Sequence, residues 1–209
     1  MKTILEAIKE VKEASKEKFD ATVEVHFNLD LDIKKGQTVR YSITLPYGTG
    51  KTKKVAVLAS QKVANADLEL TEEDIDNIVR GKLQPKVDFD VIVTEPRYMP
   101  KLAKAAKILG PAGLMPNPKT GTVTDNVEKA VENIKKGQVE VKTEKEAPLI
   151  HTIIGKVSFK PEDLAANFLT LFNSLKQNKP QKSKPEWIQA AFVVSSMGSS
   201  VEVDLTELQ

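Results

Sequence analysis

The sequence predicts a chain of mixed class, an α/β domain inserted into an α+β domain, and three observations lead there. Segments near both ends alternate apolar and polar residues, as strands do when one face of their sheet is buried. The middle instead carries short, continuously apolar strands between helical patterns, as in a parallel sheet covered on both faces. Within that middle, Leu109 to Thr124 reads Leu-Gly-Pro-Ala-Gly-Leu-Met-Pro-Asn-Pro-Lys-Thr-Gly-Thr-Val-Thr, with three prolines and three glycines. No regular helix or central strand is expected there, and turns should hold its backbone. At 209 residues two small domains can each bury a core. The expected boundaries are 1–50 with 147–209 for the outer domain and 51–146 for the inserted one.

Taken in order, Thr3 to Phe19 places Ile4, Leu5, Ile8, Val11 and Ala14 on one helical face opposite lysines and glutamates. Thr22 to Leu29 alternates, with Val23, Val25, Phe27 and Leu29 facing one way and Thr22, Glu24, His26 and Asn28 the other. After a charged turn through Gly36, Val39, Tyr41, Ile43 and Leu45 repeat the alternation. These two strands and the helix open an α+β sheet. Pro46-Tyr47-Gly48-Thr49-Gly50-Lys51-Thr52 resembles a phosphate loop but has Leu45 where such a loop needs its first glycine. The better reading is a flexible crossing between domains, with Gly48 and Gly50 supplying unusual backbone angles.

From Lys53 the pattern is strand (Val55, Val57, Leu58), helix capped by Thr71 and running to about Gly81, then strand (Phe89 to Val93). A lysine-studded helix from Met99 to Leu109 should close at Gly110. After the Pro/Gly loop, Asp125 is the expected cap of a helix carrying Val127, Ala130, Val131 and Ile134, and Val139 to Lys142 returns as a strand. The unit is Rossmann-like in pattern but lacks the Gly-x-Gly-x-x-Gly turn of dinucleotide sites. Leu149 to Phe159 resumes the outer style, and Pro161 opens a helix whose apolar face is Leu164, Ala165, Phe168, Leu171, Phe172 and Leu175. A lysine- and proline-rich loop (176–185) leads to two strands, Trp187 to Ser196 and Ser200 to Leu205, joined at Met197-Gly198-Ser199.

Composition narrows the function. The chain has no cysteine, which excludes disulfides, thiolate catalysis and cysteine-ligated zinc. Two histidines, His26 and His151, lie far apart in sequence, and neither a Gly-x-Ser-x-Gly elbow nor a His-Glu-x-x-His motif occurs. No cofactor or metal pattern is present, no apolar run is long enough for a membrane span, and the first ten residues do not read as a signal peptide. The net charge is only +2, with three arginines (Arg40, Arg80, Arg97), so charge alone does not point to nucleic acid. The residues suit a binding protein; the alternatives are a nucleotide-binding α/β enzyme and a protein-interaction module.

Four blocks, in order, resemble the bacterial ribosomal protein L1 family: Lys18-Phe19-Asp20-Ala21-Thr22-Val23-Glu24, Leu45 to Lys51, Leu109 to Thr124, and Ser196-Met197-Gly198-Ser199-Ser200. The resemblance implies a discontinuous, split-βαβ-like RNA-binding domain made from both chain ends. A Rossmann-like, three-layer α/β domain would be inserted through a hinge at Gly48, Gly50 and Lys51. It further implies a non-enzymatic constituent of the large ribosomal subunit, cytoplasmic and monomeric off the ribosome, and without a cofactor. Its expected partners are the L1 stalk of 23S ribosomal RNA, the transfer RNA at the exit site, whose release it would aid, and its own operon messenger, whose translation it would repress. Tyr47 and Ala112 stand where the family carries a histidine and an arginine, and the segment between Ala59 and Thr71 is shorter than the family's.

The residues expected to contact ribosomal RNA are Lys18, Phe19, Thr22, Glu24, His151, Lys156, Ser196, Met197, Gly198, Ser199 and Ser200. Thr22 and Ser196 would offer hydroxyls, Glu24 a carboxylate acceptor, and Lys18, Lys156 and His151 phosphate contacts. Gly198 would allow close approach of the backbone and a positive backbone angle.

Overall fold

The structure, a computed structural model, describes residues 2–63, 65–180, 183–184 and 186–206. Its strands are β1 (Thr22–Leu29), β2 (Arg40–Thr44), β3 (Val55–Leu58), β4 (Leu68–Glu69), β5 (Val91–Thr94), β6 (Gln138–Lys142), β7 (Leu149–Lys156), β8 (Ile188–Ser195) and β9 (Val201–Val203). Its helices are α1 (Ile4–Ala14), α2 (Glu72–Val79), α3 (Met99–Leu102), α4 (Ala106–Ala112), α5 (Val127–Lys135) and α6 (Pro161–Gln177). The chain divides into two compact units, Met1–Gly50 with Gly137–Gln209, and Lys51–Lys136.

In the unit made from both chain ends, β7, β1, β8 and β9 form an antiparallel sheet in that order. The alternation of β1 puts Val23, Val25, Phe27 and Leu29 on the inner face, where they are buried. Helix α6 packs against them through the six residues expected from its spacing, and Phe27, Phe168 and Phe172 cluster with ring centroids 5.9 to 6.4 Å apart. Helix α1 starts at a capping box in which the Thr3 N–H donates to the Glu6 carboxylate (3.1 Å) and the Glu6 N–H to the Thr3 hydroxyl (3.4 Å). Its buried face is Ala7, Ile8 and Val11; Leu5, expected on that face, is exposed. At about 100° per residue, position 5 lies roughly 110° from the centre of the stripe that residues 4, 7, 8 and 11 define, so it points outward.

Two expectations for this unit change. Strand β2 does not join the sheet of β1; it pairs antiparallel with β6, Tyr41 opposite Val141 and Ile43 opposite Val139. Residues 137–146, expected in the inserted domain, therefore belong with the chain ends. The reason is packing: Val141 is fully buried in the same core as Val39, beside partly buried Tyr41 and Ile43.

The inserted unit has a parallel sheet in the order β4-β3-β5. One face packs Ala56, Leu58 and Ile92 against Ile75 and Ile78 of α2 and Leu102 and Leu109 of α3 and α4. The other packs Val55, Val57 and Val93 against Val127, Val131 and Ile134 of α5. This is the three-layer α/β arrangement that buried parallel strands require. Among the described residues, no helix lies between β3 and β4.

The Pro/Gly segment is more regular than expected. Helix α4 continues through Gly110 and Pro111 and ends at Gly113, whose φ is +72°. Pro111 is next to the last residue of the helix, so its missing N–H removes a single terminal bond. Beyond it, Asn117 caps a 3-10 turn at Pro118–Thr120 that Gly121 closes at φ +70°. Thr122 ties the turn by accepting from the Asn117 N–H (2.8 Å) and donating to the Asn117 carbonyl (3.1 Å). The cap of α5 is Asn126, not Asp125: its side chain accepts from the Lys129 N–H at 3.2 Å. The loop expected at 176–185 lies partly outside the described residues.

Candidate nucleic-acid interface

Both helices of the outer unit pack against the inner sheet residues, so the even-numbered side chains of β1 line the opposite, open face. Register fixes their neighbours: Glu24 lies opposite Ile153 and Val194, and His26 opposite His151 and Phe192. A bulge in β7 at Val23/Glu24 then brings Thr22 opposite Lys156.

At this end of the sheet three strand termini are knit together. The Thr22 carbonyl accepts from the Ser196 N–H at 2.9 Å and from its hydroxyl at 3.4 Å. The Lys156 ammonium donates to the Thr22 hydroxyl at 2.8 Å and to the Asp20 carbonyl at 3.2 Å. The Asp20 carboxylate in turn accepts from the Ser158 N–H (3.0 Å) and hydroxyl (2.8 Å). Lys156 and Ser196 are therefore both engaged with the protein and help shape the rim. Lys18, Phe19 (56% exposed), Met197 (86% exposed), Gly198, Ser199 and Ser200 stand free of the core beside them.

The turn after β8 corrects one expectation. The positive backbone angle belongs to Met197, at φ +68°, not to Gly198. Gly198 is needed for space: its N–H donates to the Ser195 carbonyl at 2.8 Å, and a Cβ there would lie 2.2 Å from the Ser195 hydroxyl.

His151 is on the open face as expected, but two rows from Thr22, paired with His26. Their Nδ1 atoms are 2.5 Å apart and the rings meet edge to face at 4.6 Å. Burial first, and the neighbouring His151 second, push the His26 pKa below its ordinary value, against an upward pull from Glu24. Sequence reasoning placed His26 on this face but gave it no role, and gave none to Phe192; the cross-strand register that joins them is not legible from one strand at a time.

The expected hinge residues lie on a braced segment. Gly48 and Gly50 have φ of +66° and +71°. Fully buried Asn167 of α6 accepts from the Tyr47 N–H (3.1 Å) and donates to the carbonyls of Gly48 (3.0 Å) and Ile154 (2.7 Å). A Cβ on Gly137 would come within 2.4 Å of the Gly48 Cα, and one on Gly50 within 2.8 Å of the Lys156 stem. Lys51 belongs to the inserted unit and pairs with Asp90 at 3.3 Å. Asn167 carried no signal in the sequence beyond a polar residue beside an apolar helical stripe.

Among the described residues, no group of three or more His, Asp or Glu side chains could hold a metal ion, and no helix is long and apolar enough to cross a membrane. Residues 11–199 match the model of the ribosomal protein L1p/L10e family. The chain is 48% identical over 206 residues to the large ribosomal subunit protein uL1 of Mesoplasma florum, covering 96% of this chain and 89% of that one. It is 47% identical over 199 residues to the protein of the same name from Mycoplasma capricolum, covering 92% and 86%. With that of Prochlorococcus marinus it shares 43% over 212 residues, covering 98% and 88%. With a family model and relatives that span nearly its whole length, the chain belongs to the ribosomal protein L1 family.

Proposed function

We propose that this chain is a structural, non-catalytic component of the large ribosomal subunit in the cytoplasm. It binds the stalk of 23S ribosomal RNA beside the transfer-RNA exit site through the unit made from both chain ends. The observation that carries this reading is the rim where β1, β7 and β8 end together. It presents Phe19, Met197 and the bare Gly198 turn next to Lys18 and Glu24, on a sheet face that the helices leave open. Such a rim offers backbone approach, an acceptor and an apolar edge to ribose, which suits folded RNA read by its shape and 2′-hydroxyls. The relatives named above support the ribosomal setting. Aid to the release of transfer RNA and repression of its own messenger rest on the family resemblance, as does a monomeric state off the ribosome.

Filter binding of the pure chain to a stalk RNA, against a scrambled RNA of equal length, tests the reading. A clear preference for the stalk sequence is expected, and equal affinity for both would overturn it.

A further inference from the structure

Across the open sheet face runs a row with one residue per strand: His151 on β7, His26 on β1, Phe192 on β8 and Glu202 on β9, each directly opposite the next. Three of these four carry rings. His26 and His151 hold one another through their Nδ1 atoms, one ring donating and the other accepting, so they form a fixed surface in place of two free side chains. Phe192 is partly exposed beside them although it lies mid-strand.

The flanking rows are Ile153, Glu24 and Val194 on one side and Leu149, Asn28 and Ala190 on the other. These rows hold no lysine or arginine; their only full charges are the carboxylates of Glu24 and Glu202. A phosphate would find repulsion there. Rings with apolar neighbours and carboxylate acceptors instead match a nucleobase, which offers a stacking face and, in adenine, guanine or cytosine, amino hydrogens to donate.

We propose that the His26–Phe192 row is a stacking platform for an unpaired RNA base bearing an exocyclic amino group, with Glu24 or Glu202 as its acceptor. The proposal rests on the RNA-binding reading above and extends that site from the strand ends to the middle of the sheet. RNA is favoured as occupant by continuity: Glu24 lies between the ring row and Thr22 on the same face of β1, so a strand entering over the rim passes directly onto the rings.

The test uses the full chain, stalk RNAs each carrying 2-aminopurine at one unpaired position, and the variants Phe192→Leu and Phe192→Trp. Phe192→Leu keeps an apolar side chain but removes the ring face, and should weaken stalk binding about 5- to 100-fold. The salt dependence should stay the same, because no phosphate contact is lost. Phe192→Trp should restore affinity, and the wild type should quench 2-aminopurine at one position that Phe192→Leu leaves bright. Wild-type affinity in Phe192→Leu would overturn the platform alone and leave the face to a protein partner. A shallower salt slope would overturn the base assignment in favour of phosphate, and failure of the wild-type chain to bind stalk RNA would overturn the RNA reading and the platform with it.

Discussion

At the scale of residues, the turn after β8 separates two roles that a glycine often combines. Because the Gly198 Cβ position faces the Ser195 hydroxyl, Gly198→Ala should lower stability by about 1 to 3 kcal/mol through overpacking. That hydroxyl is buried without a partner among the described residues, so Ser195→Ala should be nearly neutral by itself. In combination it should recover most of the Gly198→Ala loss, a coupling that urea unfolding of both single variants and the double variant would measure. Strict additivity would mean the clash is not with Ser195. Met197→Gly should leave stability unchanged or raise it, since glycine adopts positive φ without strain, while weakening RNA binding if the methionine touches sugar. His26 yields a pH prediction. Its folded pKa is depressed, so between that value and the unfolded value of about 6.5 the unfolded chain binds more protons, and stability falls as pH drops below about 6.5. Urea midpoints from pH 7.5 to 5.5 should decline for the wild type and be flatter for His26→Gln; an equal slope in both would contradict the shift.

At the scale of elements, α6 has two jobs on two faces. Its apolar stripe fills the core, while Asn167 satisfies one N–H and two carbonyls from two other segments. Asn167→Ala leaves the Tyr47 N–H and the Ile154 carbonyl unpaired and should cost about 2 to 3 kcal/mol. The loss should appear in urea unfolding, with hydrogen exchange faster at the Tyr47 amide. If that amide stayed protected, the brace would lie elsewhere. The bracing also explains why Ile154, on the bulged stretch of β7 that β1 skips, keeps a partner for its carbonyl.

At the scale of the whole molecule, the boundary at residue 136 is testable against the one that periodicity alone suggests. Removing Lys51 to Lys136 and bridging the ends with a short glycine-serine linker should leave a folded unit, because Leu45 and Gly48 already lie against Gly137. Removing Lys51 to Glu146 takes β6 away from β2 and Val141 from the core, and that chain should unfold at markedly lower urea. Equal midpoints would put β6 outside the unit. The unit with both chain ends holds 16 basic and 17 acidic residues. Its RNA affinity should therefore decline with salt on a log-log slope of roughly −2 to −4, and a much steeper slope in filter binding would mean more phosphate contacts than the rim provides.

Strict alternation in β1, the stripe of α6 and the unbroken apolar run of β3 were legible in the sequence because each reports burial through a local period, independent of any partner. The motif around Ser196 to Ser200 was legible as a candidate site by its resemblance, not by its chemistry. What only the tertiary structure decided depends on pairings between distant residues. Val139 to Lys142 reads as a strand in any context, and which edge it takes was settled by Val141 fitting the core that Val39 and Tyr41 share. Ser196 and Lys156 look like free polar groups in sequence, yet both bond to the start of β1. His26, His151 and Phe192 become one surface only because antiparallel register sets three separate strands side by side, and a period of two residues says which face a side chain takes but not which neighbours it meets there.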